Sequence, residues 1–136
     1  MQDFRNLDVW KKAHELALDV HKTIARTKRL DVSIRAQMMR ATTSIAANIV
    51  EGCGKATRIE LARFADISIG SSSELEYWLL LARDLGQFAN TDFERLTRRN
   101  LEVRKMLFGL RRAIRDGSTK KSQASSPVPV AEASNL

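Results

Sequence analysis

Four segments of this chain carry apolar residues three or four positions apart, and no segment alternates with the two-residue period of a half-buried strand. That constrains the fold more than any other feature of the sequence. In the first segment Asn6 is placed as N-cap and Asp8 in the first turn, and Val9, Ala13, Leu16, Val20 and Ile24 form one stripe running to about Lys28. The second begins after Asp31 or Ser33, buries Ile34, Met38, Ala41, Ile45 and Ile49, and ends where Gly52 and Gly54 leave the backbone free to turn with positive φ. The third opens on the capping-box pair Thr57 and Glu60, and its expected stripe is Leu61, Phe64, Ser68, Ser71, Leu75, Trp78, Ala82 and Leu85, closed by Gly86. The fourth repeats the opening with Thr91 and Glu94, then aligns Phe93, Leu96, Val103, Leu107, Leu110 and Ile114, with Asn100 interrupting the seam. Short connections between such segments predict an all-α fold, an up-and-down antiparallel four-helix bundle.

The bundle is expected to occupy residues 1–116, because both prolines and a Ser-, Ala- and Lys-rich stretch without apolar period fill residues 117–136, which read as a flexible tail. The single cysteine, Cys53, cannot form an internal bridge, and no charged start followed by an apolar run marks a secretory signal, so a reducing cytoplasm is the expected compartment. Charged residues break every hydrophobic segment well short of a membrane span.

Residues suited to catalysis do not assemble on paper. His14 and His21 lie two turns apart, about 10 Å along a helix, too far to hold one metal ion between them, so no metal site and no cofactor is expected. Gly52-Cys53-Gly54-Lys55 lacks the glycine spacing and the preceding strand of a phosphate loop, and Cys53 has no placed base. Lys55 and Arg58 at a helix start could attract an anion, although a glycine-rich helix end followed by a solvated corner accounts for the same residues.

Charge is the stronger signal, because the chain carries a net charge of +7. Arg95, Arg98, Arg99, Arg104, Lys105, Arg111, Arg112 and Arg115 crowd the fourth helix, opposed only by Glu94, Glu102 and Asp116. That excess suits a phosphate-tracking surface, although no sequence-reading motif and no interleaved aromatic residue accompany it. Arg40 and Glu74 fall at matching heights on the second and third helices and are expected to form a structural ion pair, buried or half-buried, worth roughly 3 kcal/mol if deeply buried.

Several blocks of sequence resemble one known family. Phe4-Arg5-Asn6-Leu7-Asp8-Val9-Trp10-Lys11-Lys12-Ala13, Gln37 with Arg40-Ala41 and Ser44-Ile45, the run Asn48 to Lys55, and Gly70-Ser71 with Glu74-Leu75-Glu76 are similar to the bacterial four-helix proteins encoded in intervening sequences of 23S rRNA genes. Those proteins are related to the accessory protein of diversity-generating retroelements. The resemblance implies a ring-like homopentamer, binding to DNA or RNA through basic surfaces, and no catalysis. The chain departs from the family pattern at Lys28-Arg29-Leu30-Asp31, which lacks the usual proline and glutamate, and at Met39 and Lys55, where arginines are common.

The expected function is therefore a non-enzymatic, basic, oligomeric scaffold that holds nucleic acid by its phosphates. The alternative is an interaction module that docks an enzyme such as a reverse transcriptase. Ile59, Ile67, Ile69, Leu80 and Leu81 on the third helix, with Leu101 and Phe108 on the fourth, lie off the main seams and are expected to supply subunit contacts.

Overall fold

The protein was analysed as a computed structural model, which describes residues 3–124, with the side chains of 118–124 outside the description. Among the described residues there are four long α-helices and no strand: α1 (Asp8–Arg26), α2 (Val32–Cys53), α3 (Arg58–Asp84) and α4 (Asn90–Ala124), preceded by a 3-10 turn over Phe4–Asn6. Each helix packs on its neighbours in sequence, and α1 closes the square against α4. The α1–α4, α2–α3 and α3–α4 seams each run antiparallel, as their side-chain bridges show. Asp19 meets Arg95 while Lys12 meets Glu102, Arg40 meets Glu74 while Ser68 meets Ile45, and Arg111 meets Asp66 while Arg104 meets Glu76.

Local chemistry sets the helix ends, not always at the residues expected. Asp3 caps the 3-10 turn, and the N-cap of α1 falls one residue beyond Asn6, on buried Leu7, with no side-chain cap. Its C-terminal carbonyls are satisfied instead by Arg35, whose guanidinium donates to Ile24 O and Thr27 O. Asp31 accepts from Ser33 N at the start of α2, and Thr57 accepts from Glu60 N at the start of α3. At α4 the expected Thr91 and Glu94 device is absent, because the helix already begins at Asn90, whose side-chain amide donates to Glu94. Gly52 and Gly54 do not use positive φ, since Gly86 is the only described glycine that has it, at 73°. Gly52 has a steric role: a Cβ there would stand 3.0 Å from Leu61 Cδ1 and 3.1 Å from Phe64 Cβ, so α2 and α3 can close together only over a glycine.

The stripes of α1 and α2 are buried at every position expected. On α3 the seam lies one residue over for half its length. Ala65, Ser72 and Leu79 are buried, whereas Phe64, Ser71 and Trp78 flank them half-exposed and Leu85 is exposed. On α4, Leu96, Asn100, Val103, Leu107, Leu110 and Ile114 form the buried seam, and Phe93 sits at its edge. Asn100 is fully buried and satisfied, donating to Ser72 O at 2.9 Å and accepting from Ser72 Oγ at 2.8 Å. The helix continues past Asp116 to Ala124, into the stretch expected to be tail, and residues 125–136 of that stretch lie outside the described residues.

Candidate nucleic-acid interface

The eight cations of α4 divide into four groups according to what lies beside them. Toward α1, Arg95 reaches Asp19 at 3.0 Å, Asp92 at 2.7 Å and Thr23 Oγ1 at 2.8 Å. Arg99 adds a 3.3 Å contact to Asp19, and Arg26 a 2.8 Å contact to Asp92. Burial by itself would raise the Asp19 pKa, but the hydrogen bonds and charge of Arg95, with the charge of Arg99, outweigh it and hold the carboxyl below its usual range. Hydrogen bonds to Asp19 and Asp92 raise the Arg95 guanidinium in turn. Toward α3, Arg104 reaches Glu76 at 2.8 Å and both polar atoms of Ser72, and Arg111 reaches Asp66 at 2.7 Å. Arg115, on the exposed flank, lies 3.7 Å from its neighbour Asp116.

That leaves Arg98, Lys105 and Arg112, all exposed and without an ion pair among the described residues. They recur every seven residues, so they line one outward ridge at intervals of about 10.5 Å. Leu101 and Phe108, 46% and 47% exposed, fill the gaps between them. The ridge thus interleaves cations with large apolar side chains, and Phe108 between Lys105 and Arg112 corrects the expectation that no aromatic residue is interleaved there. A groove of about 350 Å³ between α1 and α4, lined by Lys12, Glu15, Arg95, Arg98, Arg99, Glu102 and Val103, adjoins its upper end.

The other expected site residues lie elsewhere. Lys55 and Arg58 sit at the α2–α3 turn, remote from the ridge in sequence and on another corner of the square. Lys55 stands 3.9 Å from Glu51 and over the Phe64 ring, and Arg58 is half-buried, with its pKa pushed down by desolvation. Cys53 is buried, and burial pushes its thiol up to about 11, the opposite of an activated thiolate. Arg40 and Glu74 are in contact, and Glu74 also accepts from Trp78 Nε1 while Gln37 accepts from Arg40. The pair sits at the surface, however, with the arginine side chain 58% exposed, so the roughly 3 kcal/mol of a deep pair does not apply. Below it the α2–α3 seam carries on as a polar ladder, with Ser44 on Ser71 and Asn48 on Ser44.

One surface was not anticipated. Val32, Ala36, Met39, Thr43 and Ala47, spaced by four, three, four and four, are all exposed on α2, and none is charged. Their helical spacing was readable, but it is the same spacing that marks a buried stripe. Among the described residues no group of three or more His, Cys, Asp or Glu could hold a metal ion, and no helix is long and apolar enough to cross a membrane.

Fold and surface together define a basic four-helix bundle with one unneutralised cationic ridge. The chain belongs to the 23S rRNA-intervening sequence protein family, whose model matches residues 5–109. Among solved structures it is similar to a protein of unknown function from the S23 ribosomal protein family of Bacteroides thetaiotaomicron. The two share 25% identity and a TM-score of 0.70 over 76% of this chain and 97% of that one. No curated protein matches.

Proposed function

We propose that the protein is a non-enzymatic, homo-oligomeric scaffold that binds nucleic acid through phosphate contacts without reading sequence. The observation that carries this reading is the ridge of Arg98, Lys105 and Arg112, whose charges no carboxylate offsets among the described residues. A cation already held by a carboxylate must give up that partner to take a phosphate, so the ridge outranks the other five arginines of α4 as a contact surface. The family name supports a nucleic-acid context.

Assembly uses a different face. The uncharged stripe on α2 and the exposed Ile59 and Leu80 on α3 are suited to pack against another copy, and closed symmetry would cover them on every subunit. Packing Leu101 and Phe108 against a copy would instead desolvate Lys105 and Arg112 beside them, which is unfavourable without an acidic partner. A five-membered ring is the assembly proposed, and a stable 15.3 kDa monomer in light scattering would refute it.

Salt titration of binding tests the nucleic-acid reading. Affinity should fall steeply with salt, and replacing Arg98, Lys105 and Arg112 together with alanine should flatten the slope by about two to three. No binding at low salt would overturn the reading and leave a module that docks a protein, such as a reverse transcriptase, in its place.

A further inference from the structure

Phe108 differs from every other phenylalanine in the chain. Phe88 is buried, Phe4 packs edge-on against Trp10, Phe64 lies under Arg63 and Lys55, and Phe93 lies under Arg83. Phe108 is nearly half exposed, and its ring meets no other ring or cation among the described residues. A solitary exposed Phe is ordinary on a protein surface. This one stands three residues after Lys105 and four before Arg112, about 4.5 Å and 6 Å along the helix axis, on the ridge whose cations are free.

The neighbouring helix leaves room beside it. The contacts of Asp66 with Arg111 and of Ser72 with Arg104 place Ser68 and half-buried Ile69 level with Phe108 on α3, and Gly70 is the next residue. A Cβ built on Gly70 would meet nothing within 4 Å, and both Gly70 and Ser73 are exposed. A glycine within a helix costs about 0.5–1 kcal/mol relative to alanine, and no close packing inside the protomer accounts for this one. The outer surface of α3 is therefore low just beyond Ile69, and Phe108 itself offers a ring 47% exposed to a planar group.

From this we infer that the α4 ridge binds unpaired nucleic acid, with Phe108 as a base-stacking platform and Lys105 and Arg112 holding the phosphates on either side. The inference rests on the proposed nucleic-acid function and deepens it by naming the strand form. In a duplex each base is stacked on its neighbours, so a side chain at this height reaches phosphates only. A single strand can turn a base onto the ring while its backbone follows the cations. Stacking accepts any base, which agrees with the absence of a sequence-reading motif.

The test is fluorescence anisotropy of the full chain with end-labelled 20-mers, oligo-dT and oligo-rU, against a 20-base-pair duplex over a salt series. The single strands are expected to bind about tenfold tighter than the duplex at each salt concentration. Phe108→Ala should weaken single-strand binding by fivefold or more with the salt slope and the duplex affinity unchanged, and Phe108→Tyr should restore it. Equal affinity for both forms, or equal losses on both in Phe108→Ala, overturns the stacking role while the phosphate-binding reading stands. Failure of either form to bind at low salt removes the parent reading as well. Light scattering on Phe108→Ala completes the test: a changed assembly with binding intact would make Phe108 a contact between copies and overturn the inference.

Discussion

The α1-facing and outward-facing sides of α4 carry the same kind of residue and put it to opposite use. On the inner flank Arg95 is held by two carboxylates and a hydroxyl, each recruited from far along the chain or one turn away. On the ridge, Arg98 and Lys105 are exposed and form no ion pair among the described residues. Cations on one helix are thus not a single reservoir of charge. Those beside a neighbouring helix are consumed in holding it, and the surface left for a partner is set by geometry rather than by number.

Changes to the inner side should affect stability and leave binding alone. The largest effect is expected for Asn100→Ala, which removes both bonds to Ser72, opens a void in a fully buried site and leaves the Ser72 hydroxyl without its acceptor, although Arg104 still donates to both Ser72 oxygens. A loss of about 3 kcal/mol in chemical denaturation is expected, and a loss below 1 kcal/mol would show that water replaces the amide. Next comes Arg95→Ala. Asp19 and Asp92 lose their main partner at 20% and 15% side-chain exposure, and about 2 kcal/mol should disappear with nucleic-acid affinity at low salt unchanged. If affinity fell as steeply as stability, the distinction between the two sides would be broken.

The same flank sets an acid response. Asp19 is held below its ordinary carboxylate value when folded, so its contribution is complete above about pH 4 and is lost as pH falls through the lowered folded value. Melting temperature followed downward from pH 5 should drop less steeply in Asp19→Asn than in the parent, and parallel curves would show that other carboxylates control acid unfolding. A smaller change, of opposite sign, is expected at Gly70→Ala, where the added methyl meets nothing and the helix gains about 0.5–1 kcal/mol. Destabilisation there would mean that the open space around Gly70 is filled in the folded protein. Smallest of all is Arg40→Ala, worth less than about 1 kcal/mol because the pair is exposed. A double-mutant cycle with Glu74→Ala measures it directly.

Much of the architecture was legible because α1 and α2 each bury one regular stripe of large apolar residues, even though α2 exposes a second, uncharged stripe at the same spacing. On α3 the reading slipped because large residues were taken as buried. Phe64 and Trp78 are half-exposed, and the true seam uses Ala65, Ser68 and Ser72, small residues that let α2 and α4 approach. The surface of α4 was legible only as a total. Asp19 lies 76 residues from Arg95, and Asp66 lies 45 from Arg111, so which cations are neutralised depends on tertiary pairing that local charge patterning does not encode. Phe108 was expected off the seam as a subunit contact, and its place between Lys105 and Arg112 was overlooked because no aromatic residue was counted among the cations.

Cys53 gives the fold a chemical clock. With the thiol held at about 11 inside the α2–α3 corner, only about one molecule in ten thousand carries the thiolate at pH 7, and the sulfur is shielded even then. An alkylating reagent therefore reacts only through openings that expose the end of α2, so the native cysteine reports how often that end opens without an introduced label.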